Sequence, residues 1–251
     1  MATDLSVEHT ANAGLFIRID GVKFLIDTLF QEDNDFSTLS DMVKDDMFSK
    51  AGRYADVDCV LFTHGHYDHY DYQMTRKYLN MFPESKIAAP ESVFAVGGWT
   101  VIDFRKGNII SFSDNKDGCF KIGEIEVYYY RTSHLDYDFS HFGFHYSFVI
   151  KKDNISLFIS GDAKFDERMS AILDGEKKLT AAFFNPAALY SRNGREILAG
   201  IDSEKNYIYH LPQAGSDRLN YRKYAVKFYE KYKNRIKKCS LLLGEQEEVE
   251  I

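Results

Sequence analysis

The stretch THGHYDHYD (residues 63–71) places three histidines and two aspartates within nine residues. Imidazole is the most common side-chain metal ligand in proteins, and several clustered histidines repel one another once they are protonated. A divalent cation between the side chains would stabilise such a cluster. The stretch therefore indicates a metal site, provided that the rest of the chain supplies the remaining ligands.

Four predicted strands end at a residue that can bind a metal ion. Loops at one end of a rigid sheet can bring their side chains to one point, which residues scattered along the strands could not do. We therefore expect one shared site at the ends of these strands. The strand ends are those before His64 (56–63), at His134 (120–134), at Asp162 (145–162) and at His210 (205–212).

Within the histidine-rich loop, the spacing of the side chains predicts two groups of ligands. In an extended chain, His64, His66 and Asp68 share one face because side chains alternate with a period of two. His69 breaks this alternation, so a turn there would let His64 and His66 hold one ion while Asp68 and His69 reach a second. Asp162 has two oxygens and could bridge the ions. The other strand ends, His134 and His210, could complete one site each.

Composition and charge describe an ordinary globular protein. Of the 251 residues, 45% are hydrophobic and 27% charged, and the net charge of −7 makes nucleic acid an unlikely partner. The chain start lacks the basic and apolar regions of a signal peptide, and no stretch is long enough to span a membrane. Cys59, Cys119 and Cys239 stand far apart. We expect a cytoplasmic protein with free thiols.

The arrangement of predicted elements favours a single domain, residues 1–251, of two sheets with helices outside. Asp20-Gly21 predicts a hairpin turn within 14–27, and a helix is expected between Asp71 and Pro83. Segment 29–56 favours a surface helix over an active-site lid. A closing helix is expected over 216–238, followed by a frayed acidic tail, EQEEVE (245–250).

These motifs resemble those of the metallo-β-lactamase superfamily. HGHYDH (64–69) is similar to the HxHxDH motif of that family, SGD (160–162) stands at the end of a later strand, and the opening HTANAGLFIRIDGVKFLID (9–27) looks like the family's first hairpin. The resemblance covers residues 9 to 217. It implies an α+β fold, the four-layer αββα sandwich, with metal ions at the edges of the sheets.

The resemblance also implies a ligand set and a chemistry. One ion would be held by His64, His66 and His134, the other by Asp68, His69 and His210, with Asp162 between them. His141 and His145 are alternatives to His134 as the third ligand. The ions would be two divalent transition metals, zinc by default, with manganese, iron or nickel possible. They would share a hydroxide that attacks the substrate, with Asp68 as the catalytic residue that orients or accepts the proton.

The expected function is a dinuclear metal-dependent hydrolase acting on a small ester, lactone or phosphoester. The chain looks most like the group of sugar-phosphate lactonases and uncharacterised hydrolases. A phosphodiesterase or nuclease of the same fold is the alternative, and a non-catalytic metal-binding protein is less favoured. An iron redox enzyme is disfavoured because the family's diiron flavoproteins carry Glu where His66 stands. The substrate and the oligomeric state are not indicated.

Some further residues could act around this site. His9 is expected to be a structural hydrogen-bonding residue of the first hairpin, and Asp27 to orient a histidine ligand. An arginine pair in a loop, Arg192 and Arg195, could bind an anion. The residues that could touch substrate are Tyr67, Tyr137, His141, Asn185, Tyr190, Arg192 and Arg195.

Overall fold

The structure is a computed structural model that describes residues 4–32, 36, 38–96, 98–99, 107–113, 115–136, 143–236 and 238–251. Two mixed sheets lie face to face, and each has seven strands within these residues. Helices cover both outer faces of this pair of sheets. The architecture confirms the predicted αββα sandwich.

The first sheet is built mainly from the amino-terminal part of the chain. Its strands are β1 (Leu5–Ala11), β2 (Gly14–Ile19), β3 (Val22–Ile26), β4 (Cys59–Leu61), β5 (Lys86–Pro90), β6 (Ile109–Phe112) and β14 (Glu247–Val249). They lie in the order β14-β1-β2-β3-β4-β5-β6. The predicted hairpin joins β2 and β3 through Asp20 and Gly21, whose φ angles of 47° and 83° suit a two-residue turn.

The second sheet follows along the chain. Its strands are β7 (Gly118–Ile122), β8 (Ile125–Thr132), β9 (His145–Lys152), β10 (Ile155–Ile159), β11 (Leu179–Phe184), β12 (Ser203–Ile208) and β13 (Cys239–Leu241). Their order is β13-β12-β11-β10-β9-β8-β7. Strands β10, β11 and β12 are parallel, and β8 shares their direction because β9 is antiparallel to both β8 and β10. The carboxyl ends of β8, β10 and β12 therefore meet at one edge.

The helices form the two outer layers. They are α1 (Asp41–Met47), α2 (Tyr72–Met81), α3 (Glu91–Val96), α4 (Glu167–Gly175), α5 (Ala187–Tyr190), α6 (Arg192–Gly200) and α7 (Tyr221–Tyr232). Helix α2 begins as predicted, with the Asp71 carboxylate accepting the Met74 N–H at 2.7 Å, and it ends before Pro83. In the part of the chain that the structure describes, no helix combines the length and apolar character needed to cross a membrane.

Three apolar layers hold the sandwich together. Between the sheets, Phe24 of the first packs in one cluster with Phe148 and Phe183 of the second, and all three are fully buried. The outer layer on the first sheet includes Val43 and Met47 of α1. Segment 29–56 therefore contains the surface helix that its apolar spacing predicts. Each fully buried side chain of this size contributes about 1.5–3 kcal/mol.

Two expectations for the carboxyl-terminal part of the chain are wrong. The closing helix covers Tyr221–Tyr232 rather than 216–238, because Asn220 has a left-handed backbone (φ 61°) and cannot lie inside a helix. The acidic tail is a strand, in which Val249 pairs with Val7 of β1. The Glu247 carboxylate accepts the N–H groups of Leu243 and Gly244 at 2.9 and 2.7 Å, so it holds the approach to this strand.

Tyr54→Phe tests a buried polar network beside β14. The Tyr54 hydroxyl donates to Glu8 Oε1 at 2.5 Å, Arg53 donates to the other oxygen of that carboxylate at 2.6 Å, and the tyrosine ring is fully buried. Removing one donor from a buried carboxylate should lower the free energy of unfolding by about 1–3 kcal/mol in urea denaturation. Tyr224→Phe, on a half-exposed ring, is the control and should change it by less than about 0.5 kcal/mol. Equal stability of the two variants would contradict the network.

Candidate metal centre

Seven metal-capable side chains meet where the carboxyl ends of the strands converge. They form two groups, and within each group one potential ligand atom per residue lies within 4.8 Å of the others. The groups contain every residue that the sequence singles out for the metal site. They are His64, His66, His134 and Asp162 in the first, and Asp68, His69 and His210 in the second.

A turn in the loop after β4 divides the histidine-rich motif between the two groups. The backbone N–H groups of His69 and Tyr70 both donate to the carbonyl of His66, at 3.0 and 2.8 Å. The extended run that contains His64 and His66 ends at this turn. Asp68 and His69 consequently point to the second group, as the break in the alternation at His69 predicts.

In the second group, two imidazole rings face each other through their Nε2 atoms, which are 3.0 Å apart. The other nitrogen of each ring faces an acceptor: His69 Nδ1 lies 2.9 Å from Asp27 Oδ2, and His210 Nδ1 lies 2.8 Å from Asn12 Oδ1. Both Nδ1 atoms therefore carry the proton in the neutral rings. Each Nε2 of the neutral rings then presents a lone pair to the other, so the contact requires positive charge between them, either a proton on one Nε2 or a metal cation.

Carboxylate oxygens lie beside these two Nε2 atoms. Asp68 Oδ2 lies 3.3 Å from His210 Nε2 and 3.8 Å from His69 Nε2. Burial alone would lower the pKa of His69, but the charges of Asp68, Asp162 and Asp27 outweigh it and raise that pKa well above its usual value. The site therefore attracts positive charge strongly, and the residues present fit a bound metal cation.

Asp162 lies between the two groups. Its Oδ1 is 3.2 Å from His210 Nε2, and its Oδ2 is 3.5 Å from His69 Nε2 and 3.7 Å from His134 Nε2. Burial opposes its ionisation, but His210 and His69 hold the pKa of this carboxyl well below its usual range. Asp162 is therefore a carboxylate whose oxygens lie near histidines of both groups.

Two histidines of the first group, His64 and His134, are neutral imidazoles. Burial, reinforced by the neighbouring histidines, lowers the pKa of His64 well below its usual value, and burial lowers the pKa of His134 to about 3. Thr63 Oγ1 donates to Asp27 Oδ2 at 2.6 Å, so it accepts the proton of His64 Nδ1 at 2.9 Å. The lone pair of His64 is thereby on Nε2. Neutral imidazole is the form that binds metal ions.

Asp27 connects both groups to the first sheet. It is fully buried at the end of β3, and its carboxylate accepts the backbone N–H and hydroxyl of Thr63 and faces His69 Nδ1. It therefore orients a histidine, as the sequence predicts. His9 likewise makes the structural hydrogen bonds expected of it, since its ring nitrogens lie 2.8 Å from the carbonyls of Asn12 and Gly244.

Asn12 is the orienting residue that sequence reasoning missed. Its side-chain amide donates to the carbonyl of Asp68 at 3.1 Å, and its Oδ1 accepts from His210. Its own carbonyl accepts the backbone N–H of His210 at 2.9 Å. Its place in the turn between β1 and β2 was a signal for positive φ, but no sequence pattern pairs it with a residue so far along the chain.

Of the two described histidines considered as third ligand, His134 and His145, it is His134 that joins the first group. Both nitrogens of His145 have hydrogen-bond partners: Nδ1 lies 2.7 Å from Thr132 Oγ1, and Nε2 accepts the backbone N–H of Asp162 at 2.8 Å. His145 therefore holds the loop that carries Asp162. His141 lies outside the described residues.

The residues expected to touch substrate divide into two sets. Tyr67, Asn185 and Tyr190 line a cavity of about 400 Å³ that opens onto both groups, whereas Tyr137 and His141 lie outside the described residues. The arginine pair belongs to helix α6 rather than to a loop. Arg192 pairs with Glu196 at 2.8 Å on the surface, and Arg195 donates to the carbonyls of Leu189 and Tyr190 at 2.7 and 2.8 Å. Neither arginine is among the residues that line the cavity, so the structure does not bring the pair to the metal-capable groups.

In a comparison with family models, the model described as "Beta-lactamase superfamily domain" matches residues 7–175. The chain belongs to the beta-lactamase superfamily. The match confirms the resemblance that the HxHxDH motif indicates. No curated protein matches the chain in sequence.

Solved structures of this fold are similar over nearly the whole chain. Igni18, described as a novel metallo hydrolase from Ignicoccus hospitalis, has 16% identity and a TM-score of 0.64, with 99% of this chain and 98% of that chain covered. An isothiocyanate hydrolase from Delia radicum gut bacteria has 17% identity and a TM-score of 0.67, covering 98% and 99%. CmlA of Streptomyces venezuelae, a diiron beta-hydroxylase, has 15% identity and a TM-score of 0.67, covering 100% of this chain and 55% of that chain. These likenesses show the fold.

Gly161→Ala tests the packing of the loop that carries Asp162. Gly161 has φ +52°, and an added Cβ would lie 2.6 Å from His145 Nε2 and 2.9 Å from the Thr63 side chain. Strain and overlap should lower the free energy of unfolding by at least about 1 kcal/mol in chemical denaturation. Gly175→Ala is the matched control, because nothing lies within 4 Å of its added Cβ, and it should leave stability equal or slightly higher. A Gly161→Ala protein as stable as the control would show that the loop can move.

Proposed function

We propose that this protein is a metal-dependent hydrolase with a dinuclear site. The observation that carries the proposal is the position of Asp162, whose two oxygens lie within 3.7 Å of histidines from both groups. Membership of the superfamily and the fold shared with metallo hydrolases support it. The fold also includes the diiron hydroxylase CmlA, so the reaction is inferred from the site and not from the architecture.

In this proposal each group binds one divalent ion. His64, His66 and His134 would hold the first, Asp68, His69 and His210 would hold the second, and Asp162 would be available to both. Imidazole and carboxylate donors suit zinc, with manganese, iron and nickel as alternatives. Two such ions lower the pKa of bound water and polarise a substrate carbonyl or phosphoryl oxygen. The buried Asp27 and Asn12 keep the ligand rings in the orientations that this binding requires.

Asp68 is the residue proposed to handle the proton. Its side chain is almost fully buried, lines the cavity and belongs to the second group. A carboxylate in this position can accept a proton from water on the substrate side and deliver it to the leaving group. The backbone carbonyl of Asp68 is held by Asn12, which restricts the movement of the loop during this transfer.

The size of the cavity favours a small-molecule substrate. Its volume of about 400 Å³ is that of an ordinary ligand site. The net charge of −7 disfavours long nucleic acids. We further propose that residues 1–251 act as one domain, since both sheets contribute to one core, and that the three free cysteines belong in a reducing, cytoplasmic environment.

Metal content is the first test. Protein supplied with zinc or manganese should retain about two transition-metal ions per chain, because a two-metal site shares one of the seven ligands. The content is measured by plasma emission spectroscopy, alongside a screen of aryl esters, lactones, thioesters and phosphodiesters. A chelator should abolish hydrolysis, and added metal should restore it. Protein that retains no transition metal after it has been supplied with zinc or manganese would refute the proposal.

The variants His134→Ala and His145→Gln distinguish a proposed metal ligand from a histidine that holds the loop of Asp162. His134→Ala should lose about one ion per chain, because His134 contributes a nitrogen to the first group. His145→Gln should retain both ions, because a glutamine amide can still donate and accept where His145 contacts Thr132 and Asp162. The measurement is metal content after gel filtration. Retention of both ions by His134→Ala, together with loss of one by His145→Gln, would reverse the assignment.

A further inference from the structure

The cavity beside the metal centre has a wall of aromatic and apolar side chains. Outside the seven metal-capable residues, its lining includes Phe36, Tyr67, Leu135, Pro186, Tyr190 and Tyr221. Such a lining favours an apolar group of the bound molecule, because apolar surface is removed from water on both sides of the contact. The character of the substrate can therefore be read from this wall.

Phe36 joins the wall to the metal centre. Its ring centroid lies 4.5 Å from that of His210 and 6.0 Å from that of Tyr221, and the rings of Phe36 and Tyr221 are nearly parallel, at 10°. The Tyr190 hydroxyl donates to the carbonyl of Tyr221 at 2.8 Å. Tyr190 therefore presents its ring to the cavity, and its polar end holds the next aromatic residue in place.

No lysine or arginine is among the described residues that line the cavity. Both arginines of helix α6 are engaged elsewhere, as described above. Residues 33–35, 37 and 137–142, which lie next to lining residues in sequence, also contain neither residue type. Among the described lining residues, a negatively charged substituent would thus find no cationic side chain to pair with, which is costly.

The polar residues of the lining do not make up for the lack of a described cationic side chain. Asn185 is fully buried and uses its whole amide on the backbone: Nδ2 donates to the carbonyls of Gly161 and Ala163, and Oδ1 accepts from Ala187. Outside the metal centre, Asp136 is the described lining residue that carries a charge, and that charge is negative. The cation whose charge acts on Asp136, Lys164, is not among the lining residues.

We propose that the substrate is uncharged and carries an aromatic or bulky apolar group beside the bond that is cleaved. This inference rests on the proposed metal-dependent hydrolase and specifies its substrate class. It favours neutral esters, lactones and similar acyl compounds over sugar phosphates and other substrates with a separate anionic group. The apolar group lies against Phe36 and Tyr190 while the reacting centre faces the metal-capable residues.

Three hydroxamates with the same metal-binding head test this inference without requiring turnover. Acetohydroxamate carries a methyl group, phenylacetohydroxamate an aromatic ring, and succinohydroxamate a carboxylate. Their dissociation constants for zinc-loaded protein are measured by isothermal titration calorimetry. Phenylacetohydroxamate should bind about tenfold more tightly than acetohydroxamate, through the buried ring. Succinohydroxamate should bind no more tightly than acetohydroxamate, because its carboxylate has no cationic partner.

Two variants and a control test which lining residues cause the differences in affinity among the hydroxamates. Phe36→Ala should reduce the advantage of the phenyl compound over the methyl compound at least threefold. Asp136→Asn should improve binding of succinohydroxamate relative to acetohydroxamate, most clearly at low salt, because it removes a negative charge from the lining. Arg192→Ala changes a side chain that is exposed and paired with Glu196, so it should leave all three constants unchanged.

The outcomes separate this inference from the proposed function. Tightest binding of succinohydroxamate, or equal binding of all three compounds, by zinc-loaded protein would overturn the substrate class and leave the metal site intact. A loss of succinohydroxamate binding in Arg192→Ala would also overturn it, since that arginine would then serve as an anion site. Protein that binds neither zinc nor manganese, iron or nickel would overturn both proposals.

Discussion

Buried nitrogen and oxygen acceptors converge at one edge of the sandwich, and the arrangement depends on positive charge between them. The Nε2 atoms of His69 and His210 face each other at 3.0 Å. On the opposite side of each ring, Nδ1 donates a hydrogen bond, to Asp27 in the case of His69 and to Asn12 in the case of His210. Asp68 and Asp162 add negative charge at the same place. Acceptors packed this closely in a site of low polarity repel one another strongly unless a cation compensates. The strands and loops of both sheets supply the support that holds them there.

The support comes from residues in unusual backbone conformations. Asn12, Asp27 and His210 all have positive φ, at 50°, 49° and 58°. Asparagine and aspartate tolerate this region better than most residues, and histidine is also enriched there. Each of these residues lies in a turn or at a strand end, where the chain must change direction and also aim a side chain inward. The packed core of the sandwich therefore compensates for the cost of these strained backbone conformations next to the site.

The parts of the fold and site that the sequence predicts are those governed by local patterns. Asp20-Gly21 identifies the first hairpin, Asp71 and Pro83 bound α2, and the metal-capable residues at strand ends identify the cluster. The errors have tertiary causes. The acidic tail pairs with β1 although its composition is that of a solvated segment, and helix α6 directs Arg192 and Arg195 away from the cavity. Asn12 was missed because its partner, His210, is brought to it only by the association of the two sheets.

The pairing of β14 with β1 has a consequence for the order in which the molecule can assemble. Val7 lies beside Val249, more than two hundred residues away in sequence, so the first sheet cannot acquire this edge strand until residues 247–249 have been synthesised. Contacts between such distant residues carry a large loop-closure cost and slow the folding of proteins that depend on them. Strand β1 contains His9 and leads directly to Asn12, and His9 contacts the carbonyl of Gly244 shortly before β14. The nascent protein must therefore keep one edge of its first strand unpaired until β14 has been synthesised, although that strand holds residues that support the metal centre.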